Sequence, residues 1–467
     1  MHPYRRCRCG PCSVSFPTLP DGTVLPDLTN TDAPMTFITR ASNFLVPKLR
    51  QIGHFLVKQG LAMTGNLLYG LLCVRMLPVP EYAKFAVLFG YMGSLTVLLD
   101  VGISNTLTPL VGEQIDNLQL IANYVAAIRR IALRLYLVVA PLAAVVFVLL
   151  VERQHWGVVI VAQMVVVLLI TAWFARVSSA YGAVLILRRD RNRYYRTQII
   201  GSLGSLTLLI LFWAMHWLNL YTGILLNVAQ ILYMAASYYR RARQILGVQG
   251  ESSSVKEKAI IRLATPSLPG TIFYALQGQI MLMLITVFGH TASSVADIGA
   301  LSRLSQILVF FSQMNPILVE PFFARLPAPR LKRTYLAALA LVVVCSAVFC
   351  ALAFLFPSIF LWILGPHYNQ LSREVGLVIL ASCIRYIGNF MWIIHSSRRF
   401  VYWWNNLSNI VLTLVVQAVF LWKFDLSTVH GVLIMNIASA VAALVIVIAC
   451  GIYGFWRGPQ KLEHATV

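Results

Sequence analysis

The chain has 467 residues, of which 59% are hydrophobic and 11% charged, with a formal net charge of +21. Ordinary soluble domains carry roughly 25% charged residues, so this composition excludes a soluble enzyme: a core of this length could not hide so much apolar surface. The cations lie in short clusters between apolar runs rather than on a stripe with base-stacking aromatics, which argues against nucleic acid as a partner and for cytoplasmic loops beside a lipid bilayer.

Residues 1–40 contain Pro3, Pro11, Pro17, Pro20, Pro26 and Pro34 and no apolar run. They read as a disordered tail without the hydrophobic core of a signal peptide. Cys7, Cys9 and Cys12 form a C-x-C-x-x-C cluster with His2 as a weak fourth ligand. A structural zinc site wants four ligands at defined spacing, so an unstructured tail is the favoured reading, with Met35 an alternative start. Cys73, Cys345, Cys350, Cys383 and Cys450 sit in apolar runs and read as small hydrophobes.

From residue 41 onward, apolar segments fall at about 54–74, 85–108, 133–151, 157–178, 199–216, 221–239, 267–288, 298–319, 335–356, 375–396, 404–422 and 429–453. The 43 residues from Thr197 to Tyr239 hold no Lys, Arg, Asp or Glu. A spanning helix needs about 20, so this run is two spans, with a turn at His216–Tyr221. The runs are continuously apolar and lack the alternation of a barrel strand. The fold class expected is therefore an all-α polytopic membrane protein of about twelve transmembrane helices. Alternate connectors carry 25 and 5 Lys/Arg residues, which places both termini in the cytoplasm. The longest basic connector divides the spans six and six. The expected organisation is a tail (1–40), an N-terminal lobe (41–243), a cytoplasmic linker (244–262), a C-terminal lobe (263–456) and a short cytoplasmic tail (457–467). Such a parallel repeat commonly binds cargo between halves that rock to alternate access.

The stretch Arg75-Met-Leu-Pro-Val-Pro-Glu-Tyr-Ala-Lys-Phe-Ala, followed by Leu98-Leu-Asp-Val-Gly-Ile, resembles the first hairpin of Wzx-type polysaccharide flippases. That family shows an Arg, a Leu-Gly-Pro turn, a Glu-Tyr-Gly and a later Leu-Asp-Leu-Gly. Here Pro78 and Val79 replace Gly-Pro, and Ala83 replaces a Gly. Leu364-Gly-Pro-His-Tyr is similar to the family's Phe-Gly-Pro-Glu-Tyr, and Leu263 to Leu268, with Pro266 and Pro269, is similar to its seventh-span opening. The resemblance covers nearly all of 54–456. It implies the multidrug/oligosaccharidyl-lipid/polysaccharide exporter (MOP) superfamily, with a MATE/MOP-like bundle in a bacterial inner (plasma) membrane. The implied function is inner-to-outer-leaflet transfer of polyprenyl-diphosphate-linked oligosaccharide for O-antigen, lipopolysaccharide or exopolysaccharide. Polysaccharide polymerase and chain-length proteins are the implied partners.

A desolvated diphosphate needs donors and positive charge, and charges within spans are costly enough to face a cavity or a partner. The substrate-binding candidates are Lys58, Arg176, Arg303 and Arg385. The resemblance puts Lys58 and Arg303 on the first and eighth helices, which line the family's central cavity. Competing readings are open: Lys58 snorkelling to the cytoplasmic surface, Arg176 in a loop, and Arg303 paired with Asp297. Arg385 lies mid-span and is hardest to explain structurally. Asp100, Glu113 and Glu320 lie near helix ends. Glu320, between Asn315-Pro316 and Pro321, is the foremost candidate for ion coupling, with Asp100 behind it. Gln59, Asn66, Gln277, Gln279, Gln306, Gln313 and Asn315 suit either sugar hydroxyls or interhelical hydrogen bonds. No phosphate-binding loop, catalytic motif or metal motif is present, so neither enzymatic activity nor a cofactor is expected. The alternatives are a MATE-like drug/cation antiporter, which would favour an acidic cavity, and a polysaccharide polymerase or ligase. The latter usually carries one large outer loop, and here every outer loop is short.

Overall fold

A computed structural model describes residues 58–458 apart from 113, 189, 249, 290 and 401. The N-terminal tail, with Cys7, Cys9, Cys12 and Met35, lies outside the described residues, as does Glu113. All regular structure described is helical. In chain order the helices are α1 (58–76), α2 (Val79–Asp100), α3 (Leu107–Val111), α4 (Leu118–Val151), α5 (Val158–Leu187), α6 (Arg191–Ala214), α7 (Leu220–Leu246) and α8 (Ser254–Ala264). There follow α9 (Leu268–Gln277), α10 (Ile280–Phe288), α11 (Ala292–Arg325), α12 (Ala328–Leu355), α13 (Pro357–Leu364), α14 (Ser372–Ser397), α15 (Trp403–Lys423) and α16 (Val429–Arg457).

Ten of these are long and apolar enough to cross a membrane, and the pair α9–α10, bent by 54°, makes an eleventh. Each of the twelve expected segments overlaps a helix; the first overlaps α1, which opens on the polar Lys58 and Gln59. The chain is a multi-pass membrane protein. Helix ends follow local chemistry. Asn219 and Thr222 close a capping box on α7, and Thr291 accepts from the Ser294 amide to start α11. α11 runs unbroken through Pro316 and Pro321. Proline is tolerated inside membrane helices where neighbouring groups re-satisfy the freed carbonyls.

The connector expected as a linker is an ordered piece of the bundle. α8 is N-capped by Ser253, and its Glu257 carboxylate pairs with Arg134 at 2.7 Å and Arg130 at 3.4 Å on α4. The Ser252 hydroxyl at 2.7 Å, then those arginines, hold the Glu257 carboxyl below its ordinary range. Gly250 touches the α4 backbone so closely that an added methyl would overlap the Ala122 carbonyl.

Buried apolar side chains fall into three clusters. One closes the arginine-poor end across both groups of helices: Leu77, Tyr82, Phe85 and Phe147 pack with Val295, Leu364, Val375 and Val432. The arginine-rich end has two cores instead. Ile121, Ile128, Val184, Tyr238 and Ile260 form one, from α4, α5, α7 and α8. Phe323, Tyr335, Ile394, Phe400 and Cys450 form the other, with α11, α12, α14 and α16 contributing. Hydrophobic burial thus joins the two groups at one end and divides them at the other. At the basic end Gly60 of α1 faces Phe310 and Met314 of α11, whose side chains would lie 3.7 and 3.6 Å from an added methyl.

Candidate functional site

The closed end brings together the sequence motifs that carried the resemblance. Arg75 donates to the Trp362 carbonyl at 3.4 Å, and its guanidinium lies 5.5 Å from the Trp362 ring centre. Gly365, at φ +106°, turns the chain there, with Arg75 Cγ 3.1 Å from where a methyl would stand; few other residues adopt that backbone. The rings of Tyr82 and Tyr368 meet edge-on at 6.5 Å. Glu81 caps the first turn of α7, accepting from the Leu220 amide at 2.8 Å.

Arg303 sits below this seal, on α11, with 4% of its surface exposed. Its guanidinium lies 4.3 Å from the Phe89 ring centre and 3.1 Å from where a side chain on Gly70 would begin, so a glycine in α1 makes room for it. The pairing with Asp297 weighed from sequence is not formed. The four ion pairs among the described residues are Arg130–Glu257, Arg134–Glu257, Arg188–Asp116 and Arg241–Asp190. Arg303 is a buried cation held by an aromatic face, with its Nε unpartnered.

Arg385 occupies the C-terminal group of helices. From α14 it donates to the Asn436 side chain on α16. Around it runs a column of neutral polar groups. Gln417 donates to Gln277 at 2.9 Å and to Ser439 at 3.4 Å. Asn409 donates to the Tyr274 hydroxyl at 2.7 Å, and Asn315 to Asn389 at 3.3 Å. No carboxylate among the described residues pairs with Arg385.

The other expected residues are dispersed. Lys58 lies at the start of α1, its ammonium 2.7 Å from the Asn192 side-chain oxygen on α6. Arg176 is not in a loop, since α5 continues to Leu187; it stacks on Trp173 at 4.0 Å and Tyr136 at 5.9 Å. Asp100 accepts from Ser179 at 2.9 Å and from the Ser104 hydroxyl, fixing the turn after α2. Glu320 is half-buried on α11 without a hydrogen bond or ion pair among the described residues. No two of the four cationic candidates make a polar contact with each other. Of the amides, Asn66 is held by Gln230 at 2.9 Å, so Asn66, Gln277 and Asn315 all serve interhelical bonds. Asn409, Gln417, Asn436 and Ser439 were missed from sequence. A signal was present, because Asn409, Thr413 and Gln417 stand four residues apart in an apolar run and so share one helical face. Among the described residues no three His, Cys, Asp or Glu side chains form a metal-ligating group.

No protein-family model matches this sequence, and no curated protein matches it either. Solved structures do. An inward-facing multidrug resistance MATE family transporter of the MOP superfamily aligns over 86% of this chain and 96% of its own, with TM-score 0.63 and 14% identity. The fold is the MATE fold. An outward-facing multidrug resistance MATE transporter of the same superfamily aligns at TM-score 0.52 and 16% identity, over 87% and 96% of the two chains. A point mutant of the Vibrio cholerae MATE transporter VcmN aligns at 0.53 and 15%, over 88% and 98%. What the arrangement offers chemically is a buried cation on α11 and a second one beside neutral amides within the C-terminal group of helices.

Proposed function

We propose that this chain is a transporter that moves polyprenyl-diphosphate-linked oligosaccharide from the inner to the outer leaflet of a bacterial plasma membrane by alternating access. In this reading the two lobes are 41–243 and 263–456, both termini are cytoplasmic, and the glycan serves surface polysaccharide assembly. The observation that carries it is that Arg303 and Arg385 lie inside helices with no carboxylate partner among the described residues. A guanidinium within a span costs at least ~2.5 kcal/mol on insertion scales, and its fork of donors fits phosphate oxygens. An anionic cargo offsets that cost, and sugar hydroxyls suit the amide column beside Arg385. The divided core at the basic end supports entry from the side where lipid-linked precursors are made.

A second reading, a drug/cation antiporter, draws on the multidrug MATE transporters this chain resembles in fold. Two uncompensated arginines repel a cationic drug, which favours the first. The test is the purified full-length chain in liposomes holding a fluorescent polyprenyl-diphosphate oligosaccharide in one leaflet, with a lipophilic cation in parallel. Leaflet exchange of the glycolipid, abolished by Arg385→Ala, is expected. Cation uptake without glycolipid exchange would overturn the proposal in favour of the antiporter.

A further inference from the structure

Asp297 has no assigned role. It lies in the second turn of α11 at the closed end, 8% exposed. Its Oδ1 is sealed from solvent without a partner, and no hydrogen bond or ion pair reaches the side chain among the described residues. One more buried oxygen at this seam lacks a partner, the hydroxyl of Tyr368 in the turn before α14, while the Tyr82 hydroxyl on α2 lies beside the Arg303 guanidinium. The seam itself is tight. A methyl on Gly299, two residues along, would stand 2.7 Å from Ala86 Cβ and 3.5 Å from the Tyr82 hydroxyl.

The charges facing Asp297 do not favour its carboxylate form. Glu374 on α14 adds a like charge, and Tyr368 lies within electrostatic reach; the neighbouring cation on α14, Arg373, is exposed and makes no ion pair among the described residues. Arg303, six residues on, is turned onto Phe89 and makes no ion pair with it. On α2, Glu81 is engaged by the Leu220 amide and Lys84 makes no ion pair. α10 carries no titratable side chain, and α16 has only His430 at this end. Arg75 on α1 is stacked on Trp362. A buried carboxylate without donors or a counter-ion is strongly disfavoured, and such a group takes a proton instead.

We propose that Asp297 is a proton-binding site of the gate at the arginine-poor end: a carboxylic acid while that end is sealed, a carboxylate once opening lets water reach it. Acid on that side then favours the sealed form, and alkali favours opening. By linkage the sealed-to-open ratio falls by up to about tenfold per pH unit between the titrations of the two forms. This rests on the alternating-access part of the proposed function and not on its cargo.

Cys73, fully buried in the same seam on α1, is a native reporter. In the full chain with every other cysteine replaced by Ser, its labelling by a membrane-impermeant maleimide is measured in liposomes from pH 5 to pH 8. The rate is taken as a ratio to that of Asp297→Asn, which mimics the acid and cancels the thiol's own pH dependence. The expected ratio is near one at the acid end and rises about tenfold or more toward pH 8. Glu374→Gln, which retains Asp297, is expected to move the rise to lower pH. Its rate taken directly against the parent also cancels the thiol's own pH dependence, so a parent and Glu374→Gln that rise at the same pH would overturn the proposal even should Asp297→Asn fail to insert. A ratio that stays flat with pH, an Asn variant that labels faster than the parent, or a rise that follows sodium rather than protons would each overturn it. The assay needs no glycolipid, so a failed leaflet-exchange experiment leaves it standing.

Discussion

Gly299→Ala is a one-methyl test of whether the arginine-poor end is a seam that opens. Gly299 on α11 faces Ala86 on α2, and the new methyl would lie 2.7 Å from Ala86 Cβ and 3.3 Å from the Tyr82 ring. Carbon atoms in contact prefer 3.5–4.0 Å, so α2 and α11 must separate by about 1 Å at this point. Overpacking of this kind costs typically 1–3 kcal/mol, and only in the sealed form, because an open seam no longer presses the two helices together. The gain in helix propensity from Gly to Ala, about 1 kcal/mol, is the same in both forms and cancels. The sealed-to-open ratio should therefore fall roughly 5- to 150-fold. Labelling of Cys73 from the arginine-poor side should rise correspondingly at fixed pH. Ala86→Gly removes the methyl that is struck, so the double variant Gly299→Ala/Ala86→Gly should return the rate to near the parent's. The reasoning is refuted if Gly299→Ala labels at the parental rate in normally inserted protein. It is equally refuted if the double variant stays as fast as the single one.

Three further outcomes follow from the same contacts. Arg385→Ala should cut glycolipid exchange by at least tenfold at unchanged membrane level, and Arg385→Lys should recover only part, since an ammonium lacks the planar fork; exchange beside a membrane-fraction blot reads both. The Glu257 carboxyl has a lowered pKa through Ser252 and then Arg134 and Arg130, so its contribution is present above the ordinary carboxylate range and lost as pH falls through the depressed value. Hydrogen exchange over 254–264 should accordingly speed up in acid for the parent, and Glu257→Gln should exchange faster already at neutral pH, with a parent indifferent to acid refuting the anchor. Finally, a cysteine at Ser293 should react with an impermeant reagent from outside the cell and one at Asn192 should not; the reverse pattern would end the twelve-span orientation.

The sequence alone determined the class and the run of helices. A stretch of 43 residues without an ionisable Lys, Arg, Asp or Glu has no stable home in water, and lipid admits such a chain only as helix. Apolar run lengths therefore mark spans without knowledge of their neighbours. The motifs around Arg75 to Tyr82 and Leu364 to Tyr368 were also legible, because turns at a membrane surface are written locally in proline, glycine and aromatic residues. What sequence could not decide is which side chains meet. Arg303 and Asp297 are six residues apart on one helix, yet burial turns one onto Phe89 of α2 and leaves the other without a partner at the tyrosine seam. Arg385 finds Asn436 fifty-one positions away, and Glu257 finds two arginines more than a hundred positions back. The division of the apolar core into one shared and two separate clusters is likewise tertiary. α12 and α14 each carry buried residues toward both ends. Only the packing of one helix group against the other sets which end is shut.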